Sequence, residues 1–250
     1  MLAEHGWHVF VADLPGALEQ AALSGGMTPV PLDVTDGASI AAALAAVSDA
    51  TDGLDAVVNF AGVLDIGSLI EVDETVVARM LDINVMGTFR VNKAFFDLLR
   101  ARRGRVVVMS SETGVHAAAP FNGMYAMTKH AIEAYASALR RELTLLGMTV
   151  ITIRPGPFRT GMVSSIERQA TRAAQNSTHF RPVITKMMGR LAAEEAKAGD
   201  PGLIAGVVLA ALTAARPKAY YNVAHDRQRT LLNRLPTRWS DELLRRVLGG

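Results

Sequence analysis

The stretch Arg105-Val106-Val107-Val108-Met109-Ser110-Ser111, with Asn122-Gly123-Met124-Tyr125-Ala126-Met127-Thr128-Lys129 beyond it, decides how the rest of the chain is read. Arg105 to Met109 is a continuous β-branched apolar run, the pattern of a parallel strand covered on both faces. Ser110 and Ser111 close it. Open α/β sheets gather their ligands at the carboxyl ends of strands, so hydroxyls there are placed for chemistry. After a loop rich in Ala, Gly and Pro, a helix is expected to open near Asn122 and run to Leu146. Tyr125 and Lys129 then share one face, a turn apart. A phenol is a poor base near neutrality until a cation favours its anion, and Lys129 can supply that charge. Ser111 can hold a substrate oxygen while Tyr125 moves the proton, which is general acid–base catalysis on an alcohol or carbonyl.

Ser111 and Tyr125-x-x-x-Lys129, set between that strand and a later strand ending in Arg154-Pro155-Gly156, resemble the short-chain dehydrogenase/reductase family. The resemblance implies an α/β fold, a Rossmann-like doubly wound parallel sheet in three αβα layers, and a nicotinamide cofactor. It implies that Asn84, Ser111, Tyr125 and Lys129 are catalytic, with Asn84 holding a relay water through a local helix irregularity. Ser111 lies fourteen residues before Tyr125, at the long end of the family's spacing, which keeps Ser110 as a second candidate. Around Pro120 to Lys129 the local likeness is to steroid and retinol dehydrogenase branches.

Upstream, Trp7 to Asp13 reads as a strand ending in an acid. In a dinucleotide fold such an acid receives the adenosine ribose hydroxyls and repels a 2′-phosphate, so Asp13 favours NAD over NADP. Pro15 to Leu23 reads as a short helix, Pro29 to Asp33 as the next strand, and Gly37 to Val47 as an alanine-rich helix. The resemblance sets Asp33 and Val34 against the adenine, while Asp33 or Asp36 can equally cap that helix. Leu54 to Asn59 is a further strand, leading into Asn59-Phe60-Ala61-Gly62, where the family pattern has a second Asn in place of Phe60. Asn59, Ala61 and Gly62 are accordingly expected to meet the cofactor, as are Tyr125, Lys129, Pro155, Gly156, Phe158 and Thr160.

The family's glycine-rich turn, Gly-x-x-x-Gly-x-Gly, which receives a pyrophosphate at a helix N-terminus, occurs nowhere in the 250 residues. Met1 to Gly6 reads as the last turn of a helix. The first strand of the fold is therefore expected to be missing from the middle of the sheet, leaving two open edges. The undamaged downstream motifs favour a late start or trimming over a degenerate relative.

Length fits one domain, 1–250, with a substrate-covering flap at 157–200 and a basic tail at 224–250. The flap carries Met162, Met187 and Met188 and suits a bulky apolar alcohol or ketone. In the tail, arginines interleave with Leu231, Leu232, Leu235, Trp239, Leu243 and Leu244, a pattern that can lie on an anionic membrane or cap the fold. Net charge is +2, which calls for no nucleic acid. No cysteine is present, and the six histidines show no metal-ligand spacing, so no metal is expected.

The resulting expectation is an NAD-preferring cytoplasmic oxidoreductase of a lipophilic secondary alcohol or carbonyl, assembled as a homodimer or homotetramer. The alternative is a non-enzymatic chain of the same fold, acting as a partner subunit or membrane-surface binding module.

Overall fold

The structure is a computed structural model, and it describes residues 1–159, 161, 165–196, 198–233 and 235–248, without the side chains of 189–196 and 227–229. Its centre is β4 (Arg105–Met109), flanked by β3 (Ala56–Asn59) and β5 (Thr149–Pro155), with β6 (Tyr220–Val223) outside β5. All these pairings are parallel. Val106, Val107 and Val108 are at most 1% exposed, because both faces of β4 are covered. Burying each such side chain stabilises the fold by roughly 1.5–3 kcal/mol.

Two helices make the covering layers. Helix α6 (Gly123–Thr144) sets Ile132, Ala136 and Leu143 against Val106, Val108 and Val150. On the opposite face, α9 (Gly202–Thr213) sets Val208, Ala211 and Leu212 against Val107, Ile151 and Ile153. The alternation of strand side chains thus feeds two separate cores, which gives the expected three-layer Rossmann-like arrangement.

The remaining two strands, β1 (Val9–Asp13) and β2 (Met27–Pro31), form a parallel pair of their own. Among the described residues no backbone bond joins this pair to the four-stranded sheet. The free edges of β1 and β3 both line a slot of about 1640 Å³, walled by Trp7, Phe10, Val57, Val58 and Phe95. This is the open middle anticipated for a sheet lacking its first strand. What holds the halves together is packing: Phe10 and Val57 both rest on the cluster around Val47, Val91 and Phe95.

Several boundaries differ from the sequence reading. The second strand is Met27–Pro31 in place of Pro29–Asp33, because Asp33 leaves the ladder to bind Thr35 through its carboxylate. Its two prolines are tolerated because β2 is an edge strand. Helix α1 (Pro15–Leu18) is shorter than expected, whereas α2 (Gly37–Ala50) is longer and is capped by Asp36, which accepts from the Ala38 amide. The opening turn, Ala3–His5, is a 3₁₀ helix closed by Gly6 at φ 81°.

From Glu74 to Arg102 the chain is helical in successive pieces: α3 (Glu74–Leu81), a π-helical segment (Asp82–Gly87), α4 (Thr88–Ala94) and α5 (Phe96–Arg102). The flap contains α7 (Ile166–Asn176) and α8 (Arg181–Ala196), and the tail contains α10 (Arg227–Leu232) and α11 (Thr237–Leu248).

Candidate active site

Strand β4 delivers Ser110 and Ser111 to the carboxyl edge of the sheet, where Ser110 N donates to Ile153 O at 2.8 Å. Ser111 then caps a 3₁₀ turn, Glu112–Gly114, by accepting from Thr113 N at 3.1 Å. That turn lies hard against α6. A Cβ on Gly114 would come within 2.8 Å of both Lys129 O and Ser110 Oγ, so only glycine lets the turn approach this closely.

Tyr125 is 8% exposed, and its phenol is hydrogen-bonded to Ser111. Burial pushes the phenol up to about 12, against the opposing pull of the Ser111 bond. One turn on, the ammonium of Lys129 donates to Met109 O at 2.9 Å and sits 5.5 Å from the centroid of the Tyr125 ring. Burial brings Lys129 down to about 8, while the carboxylate of Glu133 opposes that fall. The three side chains singled out by spacing, strand position and family likeness therefore meet in space, with Ser111 rather than Ser110 on the phenol. Ser110 Oγ is buried beside them without a partner.

Asn84 stands in the π-helical segment and is 1% exposed. Its Oδ1 accepts from Val63 N at 2.7 Å, and its Nδ2 donates to Val63 O at 2.8 Å and to Thr128 Oγ1 at 3.0 Å. Thr128 in turn donates to Tyr125 O at 2.8 Å. The extra residue of the π turn is what rotates Asn84 inward, so one amide ties the loop after β3 to the helix carrying Tyr125. Thr128 escaped the sequence reading, since nothing in its spacing distinguishes it from a filler residue.

At the other end of the cleft lie Asp13, Asp33, Val34, Asn59, Ala61 and Gly62, all lining the slot between the half-sheets. The Asp13 carboxylate accepts from Leu14 N at 2.8 Å and is exposed. Asp33 Oδ1 accepts both Thr35 N and Thr35 Oγ1, which holds its carboxyl below the usual range. Asn59 turns inward: its amide donates to Asn92 Oδ1 at 2.9 Å and to Val107 O at 3.2 Å, so its side chain braces the loop. Phe60, at 58% exposed, stands in solvent.

Pro155 is the last residue of β5 and Gly156 follows it, where a Cβ would meet Ala224 O at 2.1 Å. Phe158 is 3% exposed, packed in the core, and its main chain bridges to Gly199. Thr160 and Met162 lie outside the described residues. The flap is latched to the loop after β3: Glu71 accepts from Ser177 Oγ at 2.6 Å and His179 N at 2.8 Å, Gln169 Nε2 donates to Leu64 O at 2.7 Å, and Arg172 pairs with Asp65.

The family model described as enoyl-(acyl carrier protein) reductase matches residues 1–193. The chain belongs to the short-chain dehydrogenase/reductase family. The short-chain dehydrogenase/reductase relatives include the oxidoreductase UcpA of Escherichia coli, 37% identical over 174 residues that make 67% of this chain and 66% of UcpA. Human 17-beta-hydroxysteroid dehydrogenase type 6 is 32% identical over 231 residues, 87% of this chain and 72% of that protein. In fold the chain is similar to a short-chain dehydrogenase from Streptomyces avermitilis, with TM-score 0.76 and 23% identity over 99% of this chain and 89% of that one.

Short-chain dehydrogenase/reductases use NAD(P), and the residues present suit the two nucleoside ends of such a cofactor. An exposed carboxylate ends β1, Gly62 offers bare main chain where the nearest atom to a hypothetical Cβ is Asn84 Oδ1 at 3.4 Å, and a lysine and a phenol stand at the far end.

Proposed function

We propose that the chain is an oxidoreductase that moves a hydride between a nicotinamide nucleotide and a secondary alcohol or carbonyl of a lipophilic small molecule. The observation that carries this reading is the convergence of Ser111, Tyr125 and Lys129 within one buried polar cluster at the carboxyl end of β4. A bound nicotinamide supplies the hydride acceptor or donor; the protein supplies the rest. Ser111 orients the substrate oxygen, and Tyr125 takes or gives its hydroxyl proton. Lys129, as a cation beside the phenol, offsets the penalty that burial places on the phenolate. Asn84 holds the loop and helix in register and would hold the water that relays the proton between Lys129 and solvent.

The nicotinamide end would be held by Tyr125, Lys129, Pro155, Gly156, Phe158 and Thr160, and the adenosine end by Asp13, Asp33, Val34, Asn59, Ala61 and Gly62. Asp13 would favour NAD. Assembly as a homodimer or homotetramer is supported by apolar side chains left in solvent along the π-helical segment, α4 and α6: Met86 at 42%, Phe89 at 41% and Met127 at 48% exposed. The cytoplasm is the default setting in this reading; no helix among the described residues is long and apolar enough to cross a membrane.

One feature favours the second reading, a partner subunit or membrane-surface module. Helix α11 buries none of its side chains, exposing Trp239 and Leu243 beside Arg238, Arg245 and Arg246. Thermal shift with NAD and alcohol-dependent NADH formation separate the two. The enzyme reading expects both signals, and expects Tyr125→Phe to lower turnover by about 10²–10⁴-fold while sparing the NAD shift. Turnover that survives Tyr125→Phe would refute it.

A further inference from the structure

The mechanism makes no use of the ion pair buried between α6 and β5. Arg154 grips Glu133 through two parallel bonds, Nε to Oε1 at 2.9 Å and Nη2 to Oε2 at 2.7 Å, with the side chains 17% and 13% exposed. The guanidinium also lies 4.0 Å from the centroid of the Tyr220 ring, and the Arg154 carbonyl accepts from His225 at 2.8 Å. A pair this sheltered is a poor device for stability, because desolvating both charges roughly cancels their attraction. Its position suggests another use. Glu133 stands one helical turn beyond Lys129 on the same face of α6, so its carboxylate is the anion nearest in sequence to the buried ammonium.

The elements packed against α6 bring further polar and ionisable groups to the region of Lys129. On its own helix there is Tyr125, and β4 contributes the Met109 carbonyl. The 3₁₀ turn contributes Glu112, engaged with Asp226 N at 2.9 Å. In the π-helical segment, Asp82 is bound to Arg90 at 2.7 Å. From α3 come Glu74 and Arg79, both exposed, and β5 contributes Arg154 itself.

We propose that Glu133, held and partly neutralised by Arg154, is a positioning residue that sets the charge state of Lys129 and thereby the pH window in which Tyr125 exchanges its proton. The inference rests on the reading of Tyr125 and Lys129 as an acid–base pair. Its physical content is a balance of signs. Glu133 counteracts the burial that favours neutral Lys129; Arg154 limits how far it does so. Removing the anion leaves Arg154 uncompensated near Lys129, which then loses its proton at lower pH. Removing the cation leaves Glu133 unbalanced, and Lys129 keeps its proton to higher pH.

The test follows the ε-carbon of Lys129 by NMR in lysine-labelled protein, assigned with Lys129→Met, so that no turnover is needed. Glu133→Gln is expected to lower the titration midpoint of Lys129 by about one pH unit, and Arg154→Gln to raise it by a similar amount. The double variant returns it to near the parent value, and Arg154→Lys, which keeps the charge, leaves it in place. Should Arg154→Gln not fold, Glu133→Gln decides alone. A midpoint that stays put, or moves the same way in both single variants, overturns the inference. The alkaline limb of the pH–rate profile is expected to follow these midpoints; midpoints that move while the limb does not overturn the link to turnover. Activity persisting in Tyr125→Phe while the midpoints move as stated would instead refute the acid–base reading.

Discussion

Lys129 donates its buried ammonium to the main-chain carbonyl of Met109 at 2.9 Å, which pins the helix carrying Tyr125 to the carboxyl end of the central strand. The same burial lowers Lys129 from its ordinary 10.5 to about 8. Between these values the unfolded chain binds a proton that the folded chain does not, so stability rises with pH across that window. This contribution is full above the unfolded value and is lost as pH falls through about 8. Its size is on the order of 3 kcal/mol at most. Lys129→Met is expected to flatten the rise, as measured by urea denaturation at pH 7.5, 8.25 and 9, below the range where Tyr125, raised from 10.0, contributes with the opposite sign. It is also expected to remove most turnover.

Asn84→Ala strips three bonds at once, to both main-chain polar groups of Val63 and to Thr128. Each buried group left unsatisfied costs roughly 1–3 kcal/mol. A loss of about 2–4 kcal/mol in denaturant titration is expected, together with weaker NAD binding as the loop at Gly62 loosens. An unchanged midpoint would show that Asn84 is not the tie between loop and helix.

Gly156→Ala would drive a methyl into the carbonyl of Ala224, 2.1 Å from the ideal Cβ. The obstructing atoms, Ala224 O and C, are backbone, so the chain at the end of β6 must shift. A penalty of about 1–3 kcal/mol is expected, with faster exchange of the amide at position 156, which donates to Val223 O at 2.8 Å.

Asp13→Ala removes the exposed carboxylate at the end of β1. If that charge repels a 2′-phosphate, the ratio of NADP to NAD affinity rises about tenfold, a change of about 1.4 kcal/mol. Isothermal titration with both nucleotides checks it; a constant ratio would remove Asp13 from cofactor selection.

The parts of this molecule that could be read from the chain were those written in short-range pattern. Val106 to Val108 could be recognised as a buried strand because three β-branched residues in a row have few other uses, and Tyr125 and Lys129 because one turn of helix fixes their separation. The break at Asp82–Gly87 was not legible in its apolar periodicity, which runs through a π turn almost undisturbed; only the family likeness at Asn84 hinted at it. Asp33 misled as a strand end, since a carboxylate that binds its own downstream threonine looks the same in sequence as one that ends a ladder. The Glu133–Arg154 grip and the Glu71 latch join residues 21 and 106 positions apart. No local pattern encodes such pairings, because they depend on which layers come to lie against each other.

The slot between Phe10 and Val57 gives the sheet a seam. In an unbroken ladder, shear between neighbouring strands is resisted by directional bonds; across this seam, among the described residues, no ladder bond resists it and oily contacts slide with little penalty. The β1–β2 leaf, and with it Asp13, can therefore shift like a loose board beside a nailed floor. An additional extended segment seated in the seam would bring the adenosine end of the cleft and the Tyr125 end into one stiff frame.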